Sequence, residues 1–75
     1  MPKKRVTLTF PQSLIKEPVI YRMSKECHLI PNIRKARVTE SEGEVILDLE
    51  GSEVQIQLGI EYLKKLGVKV DLEPD

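Results

Sequence analysis

The sequence predicts an α+β fold, a four-stranded antiparallel sheet with two helices on one face, and three observations carry that prediction. Arg5 to Phe10 alternates apolar and polar side chains, the period of a strand with one buried face. Two longer segments, Val19 to Cys27 and Ile56 to Leu66, repeat apolar residues at helical spacing. Short alternating runs lie on both sides of each helical segment, so the order reads β-α-β-β-α-β.

The first strand points Val6, Leu8 and Phe10 inward and Arg5, Thr7 and Thr9 outward, and Pro11 ends it. Pro18 suits the first turn of the first helix, where its missing N–H costs nothing. Val19, Ile20, Met23 and Cys27 form that helix's apolar stripe, opposite Arg22, Lys25 and Glu26. Pro31 cannot continue the helix and pushes Ile30 toward extended geometry. The second strand is expected from about Asn32 to Thr39. Ile33 is one residue out of phase with Ala36 and Val38, which calls for a bulge near Arg34-Lys35 or a strand starting after it.

Ser41-Glu42-Gly43-Glu44 reads as a hairpin turn, and Val45 to Leu49 as a third strand with Val45, Leu47 and Leu49 inward. Ser52 is a favourable N-cap for the second helix, with Gln55 three residues on as in a capping box. Its buried stripe is Ile56, Gly59, Ile60, Leu63 and Leu66; Lys64 and Lys65 favour the C-terminal dipole and Gly67 is the expected cap. Val68, Val70 and Leu72 make the last strand. Two right-handed crossovers around a central hairpin give a ferredoxin-like plait in which strands two and four are edges.

The uncovered face of that sheet carries Thr7, Thr9, Lys35, Arg37, Glu44, Ile46, Asp48 and Glu50. Pairing Glu40 with Val45 sets Arg37 opposite Asp48 and Lys35 opposite Glu50, giving a solvated, self-neutralising surface. Bases cannot stack there, because the central strands offer threonine, isoleucine and acids where RNA-binding plaits place aromatic residues.

Composition narrows the function further. The chain has 75 residues, which is expected to make one domain near the lower limit for a core without staples. Twelve basic and twelve acidic side chains cancel, which argues against nucleic acid as a partner. One cysteine, Cys27, excludes an internal disulfide and a cysteine-built metal or iron–sulfur site. No apolar run reaches the roughly 18 residues of a membrane span, and the N-terminus lacks the apolar stretch of a signal peptide. The expectation is a soluble, cytoplasmic domain with no membrane insertion, cofactor or metal.

Catalytic equipment is missing too. Cys27 and His28 are adjacent, yet neighbouring residues on a helix do not face each other. Cys27 belongs to the packed stripe and His28 to the helix C-terminus, so no catalytic residue is expected and the chain reads as a non-enzyme.

Phe10-Pro11, Pro18-Val19-Ile20-Tyr21, Asn32-Ile33 with Ala36-Arg37-Val38, and Ile60 to Val68 in this order and spacing resemble the NIL domain. The family is named for an Asn-Ile-Leu motif at the start of its second strand. The resemblance runs from Arg5 to Leu72 and implies a ferredoxin-like fold, ACT-like in architecture and commonly paired as homodimers. NIL domains occur at the C-terminus of methionine-importer ATPase subunits, where methionine inhibits transport, and fused to ferredoxins in sulfur metabolism. Around Tyr21 and the second helix this chain is more similar to the ferredoxin-associated branch.

Carried over by position, the resemblance nominates Asn32 as a polar ligand contact and Ile33 as an apolar wall. Arg34 replaces the motif leucine. An arginine suits bidentate pairing with a ligand carboxylate, and it equally removes an apolar surface that a thioether would use. The expectation is a stand-alone regulatory domain for methionine or a related sulfur amino acid. The alternative is a ligand-free docking module for a ferredoxin or sulfur-metabolism partner.

Overall fold

A computed structural model describes residues 2–74. Its elements are β1 (Lys3–Pro11), a single 3-10 turn (Gln12–Leu14), α1 (Val19–Cys27), β2 (Ile30–Val38), β3 (Glu42–Glu50), α2 (Glu53–Leu66) and β4 (Lys69–Leu72). The sheet order is β2-β3-β1-β4, every pairing antiparallel. This is the ferredoxin-like plait the pattern predicts, with β2 and β4 as its edges.

The core lies between the helices and one sheet face. Val6, Leu8 and Phe10 from β1 and Leu47 and Leu49 from β3 meet Val19, Met23 and Cys27 of α1 and Ile56, Ile60 and Leu63 of α2. Alternation in the strands and 3.6-residue periodicity in the helices deliver these side chains to one layer. Five expected core residues differ, two of them, Ile20 and Val70, being half-buried against the core. Val45 is half-buried, and Leu66 and Leu72 are largely exposed. Both exposed leucines sit at margins of the layer, one in the last turn of α2 and one at the end of an edge strand.

Both ends of α2 and the C-terminus of α1 are closed by local chemistry. Ser52 accepts from the Gln55 N–H at 3.1 Å while Gln55 Oε1 accepts from the Ser52 N–H at 3.0 Å, so the expected capping box is complete. Gly67 ends α2 with φ 102°, a left-handed conformation that glycine adopts without strain. The last turn of α1 ends on His28, also left-handed at φ 54°. Ser24 ties off this end: its carbonyl accepts the Leu29 N–H at 3.0 Å, and its hydroxyl donates to the Leu29 carbonyl at 2.6 Å.

Leu29 is thereby fixed and buried, and it fills a slot between two glycines. A Cβ at Gly51 would lie 2.6 Å from one Leu29 methyl, and a Cβ at Gly59 would lie 2.5 Å from the other. The absence of side chains at Gly51 and Gly59 is what admits Leu29 between α2 and the end of β3.

The β2–β3 hairpin departs from expectation. β2 begins at Ile30 and tolerates Pro31 because edge strands do not need every N–H. β3 begins at Glu42, so Gly43 and Glu44 lie in the strand and not in the turn. The turn is Thr39 to Glu42. The Thr39 N–H donates to the Glu42 carbonyl at 2.8 Å, and the Thr39 hydroxyl accepts from the Glu42 N–H at 3.1 Å. Val38 therefore pairs with Gly43, Arg37 with Glu44 and Lys35 with Ile46, four residues from the expected register. The phase break is a bulge: Ile33 pairs with Leu47 and Lys35 with Ile46, leaving Arg34 without a place in the ladder.

Candidate functional site

Asn32, Ile33 and Arg34 lie in the first half of β2, and the pleat separates them. Asn32 pairs with Asp48 and so shares the uncovered sheet face. Ile33 pairs with Leu47, which points into the core, so Ile33 faces the helix side. It is nevertheless 57% exposed, because the edge of the layer leaves it half covered. Arg34, released by the bulge, turns back to the uncovered face, where its Nε lies 3.9 Å from Asp48 Oδ2. The structure thus brings Asn32 and Arg34 together around Asp48 and sends Ile33 the other way.

Asp48 is the electrostatic centre of this face. Arg5 grips it with two hydrogen bonds, Nε to Oδ1 at 2.8 Å and Nη2 to Oδ2 at 3.2 Å. The Arg5 hydrogen bond holds the Asp48 carboxyl below the usual carboxylate range, with the charges of Arg5, Arg34 and Lys3 adding to it against a desolvation penalty. The same bond raises the Arg5 guanidinium. Lys3 approaches Glu50 at 4.0 Å. These pairs replace the expected Arg37–Asp48 and Lys35–Glu50 pairs, which the four-residue register difference rules out. The expectation of a charged, largely self-neutralising face survives with different partners.

Two cations compete for Asp48, and Arg5 holds it. At 3.9 Å Arg34 is outside hydrogen-bonding distance, which leaves the donor fork of its guanidinium for another carboxylate. Asn32 beside it offers an amide that both donates and accepts. Polar recognition of a zwitterion is chemically possible here, on an open surface.

At the other end of β2 lies a concave site that the sequence reading missed. Phe10, Ile15, Val19, Ile20, Val38 and Val45 line a half-open apolar pocket of about 180 Å³, with Glu17 also at its wall. No local motif marks it, since its walls come from β1, the turn after it, α1 and both strands of the hairpin. Only the correct β2–β3 register brings Val38 beside Gly43, and taking Gly43 as a turn residue hid that.

Burial separates Cys27 from His28. Cys27 is buried in the core, its thiol pushed up by burial and then by the nearby Glu26 charge, while His28 is exposed at the helix cap. Among the described residues no group of three or more His, Cys, Asp or Glu is placed to hold a metal ion. Among them, too, no helix is long and apolar enough to cross a membrane.

Comparison with known proteins adds two findings. The family model of the NIL domain matches residues 4–72. Among solved structures, the chain is similar to the C-terminal domain of an ABC transporter ATP-binding protein from Enterococcus faecalis. The TM-score is 0.82 at 26% identity, over 96% of this chain and 84% of that one. No curated protein matches.

Proposed function

Because the chain belongs to the NIL domain family, we propose that it is a non-catalytic regulatory domain that binds methionine or a related sulfur amino acid at the start of β2. The observation that supports this most is the pairing of Asn32 and Arg34 on one face with Asp48 already neutralised by Arg5. An α-carboxylate fits the Arg34 fork and an α-ammonium fits the Asn32 carbonyl oxygen. Ile33 faces away from both, so this reading assigns it to a neighbouring surface and not to the same wall.

One copy leaves this site open on its outer side. We propose that a homodimer closes it. β2 is an edge, and its helix side exposes Ile33 and Val38; edge strands of this kind invite pairing with another chain. In this reading the 75 residues act as one domain, in the cytoplasm, beside a transporter ATPase or a sulfur-metabolism enzyme. No nucleic acid is involved.

Calorimetry with methionine, homocysteine and cysteine tests the ligand. Binding must raise the melting temperature by mass action, by about 2.7 kcal/mol of stability at a hundredfold excess over Kd. Absence of heat and of any melting shift with all three removes the proposal, and an Asn32→Ala variant that binds as well as the parent removes Asn32 from it. The second reading, a docking module for a ferredoxin or another sulfur-metabolism protein, draws on the same exposed Ile33 and Val38. Capture of such a partner, lost on Ile33→Glu, would favour it.

A further inference from the structure

The pocket at the far end of β2 is separate from the Asn32–Arg34 surface. Val38 is six residue steps along the strand from Asn32, roughly 17–20 Å at about 3.3 Å per residue, more than one amino acid spans. Its walls are aliphatic and aromatic, and its volume of about 180 Å³ exceeds the roughly 150 Å³ of an apolar cavity that admits benzene. Gly43 makes much of this room. A Cβ there would sit 3.7 Å from Ile15, 3.8 Å from Val38 and 3.9 Å from Phe10, all ordinary contact distances. Its φ is not in the left-handed region either. Neither strain nor crowding requires glycine at this position, and a side chain would occupy the pocket.

One charged residue lines the pocket. Glu17 carries a carboxylate whose ion-pair partner, Arg22, stands 3.9 Å away, beyond hydrogen-bonding distance. A carboxylate beside an apolar pocket attracts an ammonium group and repels a fatty acid's headgroup. We propose that this pocket is a second binding site, for an unbranched apolar chain of about six heavy atoms or fewer that ends in a primary ammonium group. Glu17 holds the ammonium, and the chain lies along Phe10, Ile15, Val38 and Val45 over the floor left by Gly43. A simple alkyl amine and an α-amino acid with an unbranched side chain share this chemistry. Arg22 distinguishes them, because only the amino acid has a carboxylate to give it.

The test is titration of the isotopically labelled protein, followed by amide chemical shifts, with propylamine, butylamine, hexylamine, norleucine and hexanoate. Each added methylene should tighten amine binding about three- to fourfold, from about 0.8 kcal/mol per buried CH₂, until the pocket is full. Shifts should centre on Ile20, Val38 and Gly43, and hexanoate should bind more weakly than hexylamine. Glu17→Gln should weaken the amines about two- to fivefold, the range of an exposed ion pair. Gly43→Val should abolish binding with the melting temperature retained, and Gly43→Ala, the milder filling, should weaken it.

Norleucine tighter than butylamine in the parent but not in Arg22→Gln identifies the amino acid as the ligand form; equal affinities identify the amine. Shifts confined to Asn32–Arg34, or Gly43→Val binding as tightly as the parent, overturn the second site and leave the β2-start proposal standing. Absence of shifts with every amine overturns it as well, whatever calorimetry shows for methionine and Asn32→Ala.

Discussion

Gly59→Ala sets two well-measured effects against each other. In an ordinary helix interior the change stabilises by about 1 kcal/mol, because alanine loses less backbone freedom than glycine. At Gly59 the new Cβ would lie 2.5 Å from Leu29 Cδ1 and 3.1 Å from the Met23 sulfur. The sulfur belongs to a flexible side chain and can shift. Leu29 cannot retreat easily, since it is buried with its other methyl packed against Gly51, and Ser24 bonds its backbone at both ends. Overpacking of this kind costs about 1–3 kcal/mol, so the variant should be less stable than the parent by about 1 kcal/mol once the helix gain is subtracted. For a domain of this size that is a fall of about 4–8 °C in melting temperature. Calorimetric or circular-dichroism melting reads the sign directly. Repeating the change in a Leu29→Ala background should reverse it, to a gain near 1 kcal/mol, because the obstructing methyls are gone. A Gly59→Ala variant that melts higher than the parent would refute the slot, showing that Leu29 moves aside freely.

Other perturbations probe separate features. Ser52→Ala removes one half of the capping box and should cost about 1 kcal/mol in urea unfolding; an unchanged midpoint would mean that solvent replaces the cap. His28→Gly relieves a left-handed residue at φ 54° and should stabilise by about 1 kcal/mol, with a lower melting temperature as the contrary result. Asp48 has its carboxyl held low in the folded state, chiefly by Arg5. Its contribution is therefore present above the unfolded value of about 3.9 and disappears as pH falls through the lower folded value. Asp48→Asn should flatten the acid limb of a stability–pH profile below about pH 4, and parallel profiles for variant and parent would contradict the pairing.

Much of this fold is legible in the chain because the informative signals are local. Pro18, Ser52 with Gln55, and Gly67 mark helix ends through backbone rules that operate within one turn, and each stands at a helix end in the structure. The phase break at Ile33 also announced its bulge. The register of the hairpin was not legible, because two signals of similar strength competed for the turn. Gly43 invited a turn by composition, whereas Thr39 closed it through a hydroxyl that bonds the Glu42 backbone in both directions. The ion pairs followed the register, so Asp48 found Arg5 in place of Arg37. The apolar pocket was hidden for the same reason, since its walls meet only through tertiary pairing. The surface of Asn32 and Arg34 came from family position, and the pleat then split Ile33 away from it.

The bulge gives Arg34 an unusual freedom. On either side of it the ladder runs without a gap, Ile33 against Leu47 and Lys35 against Ile46. Arg34 is a supernumerary residue on the charged face, with no cross-strand partner to dictate its chemistry. Because Arg34 has no ladder partner, a leucine there in place of the arginine leaves the pairing of Ile33 and Lys35 in place and gives up only the approach to Asp48. The domain thus contains one position, at the mouth of its proposed binding surface, where recognition can be rewritten while the architecture stays untouched.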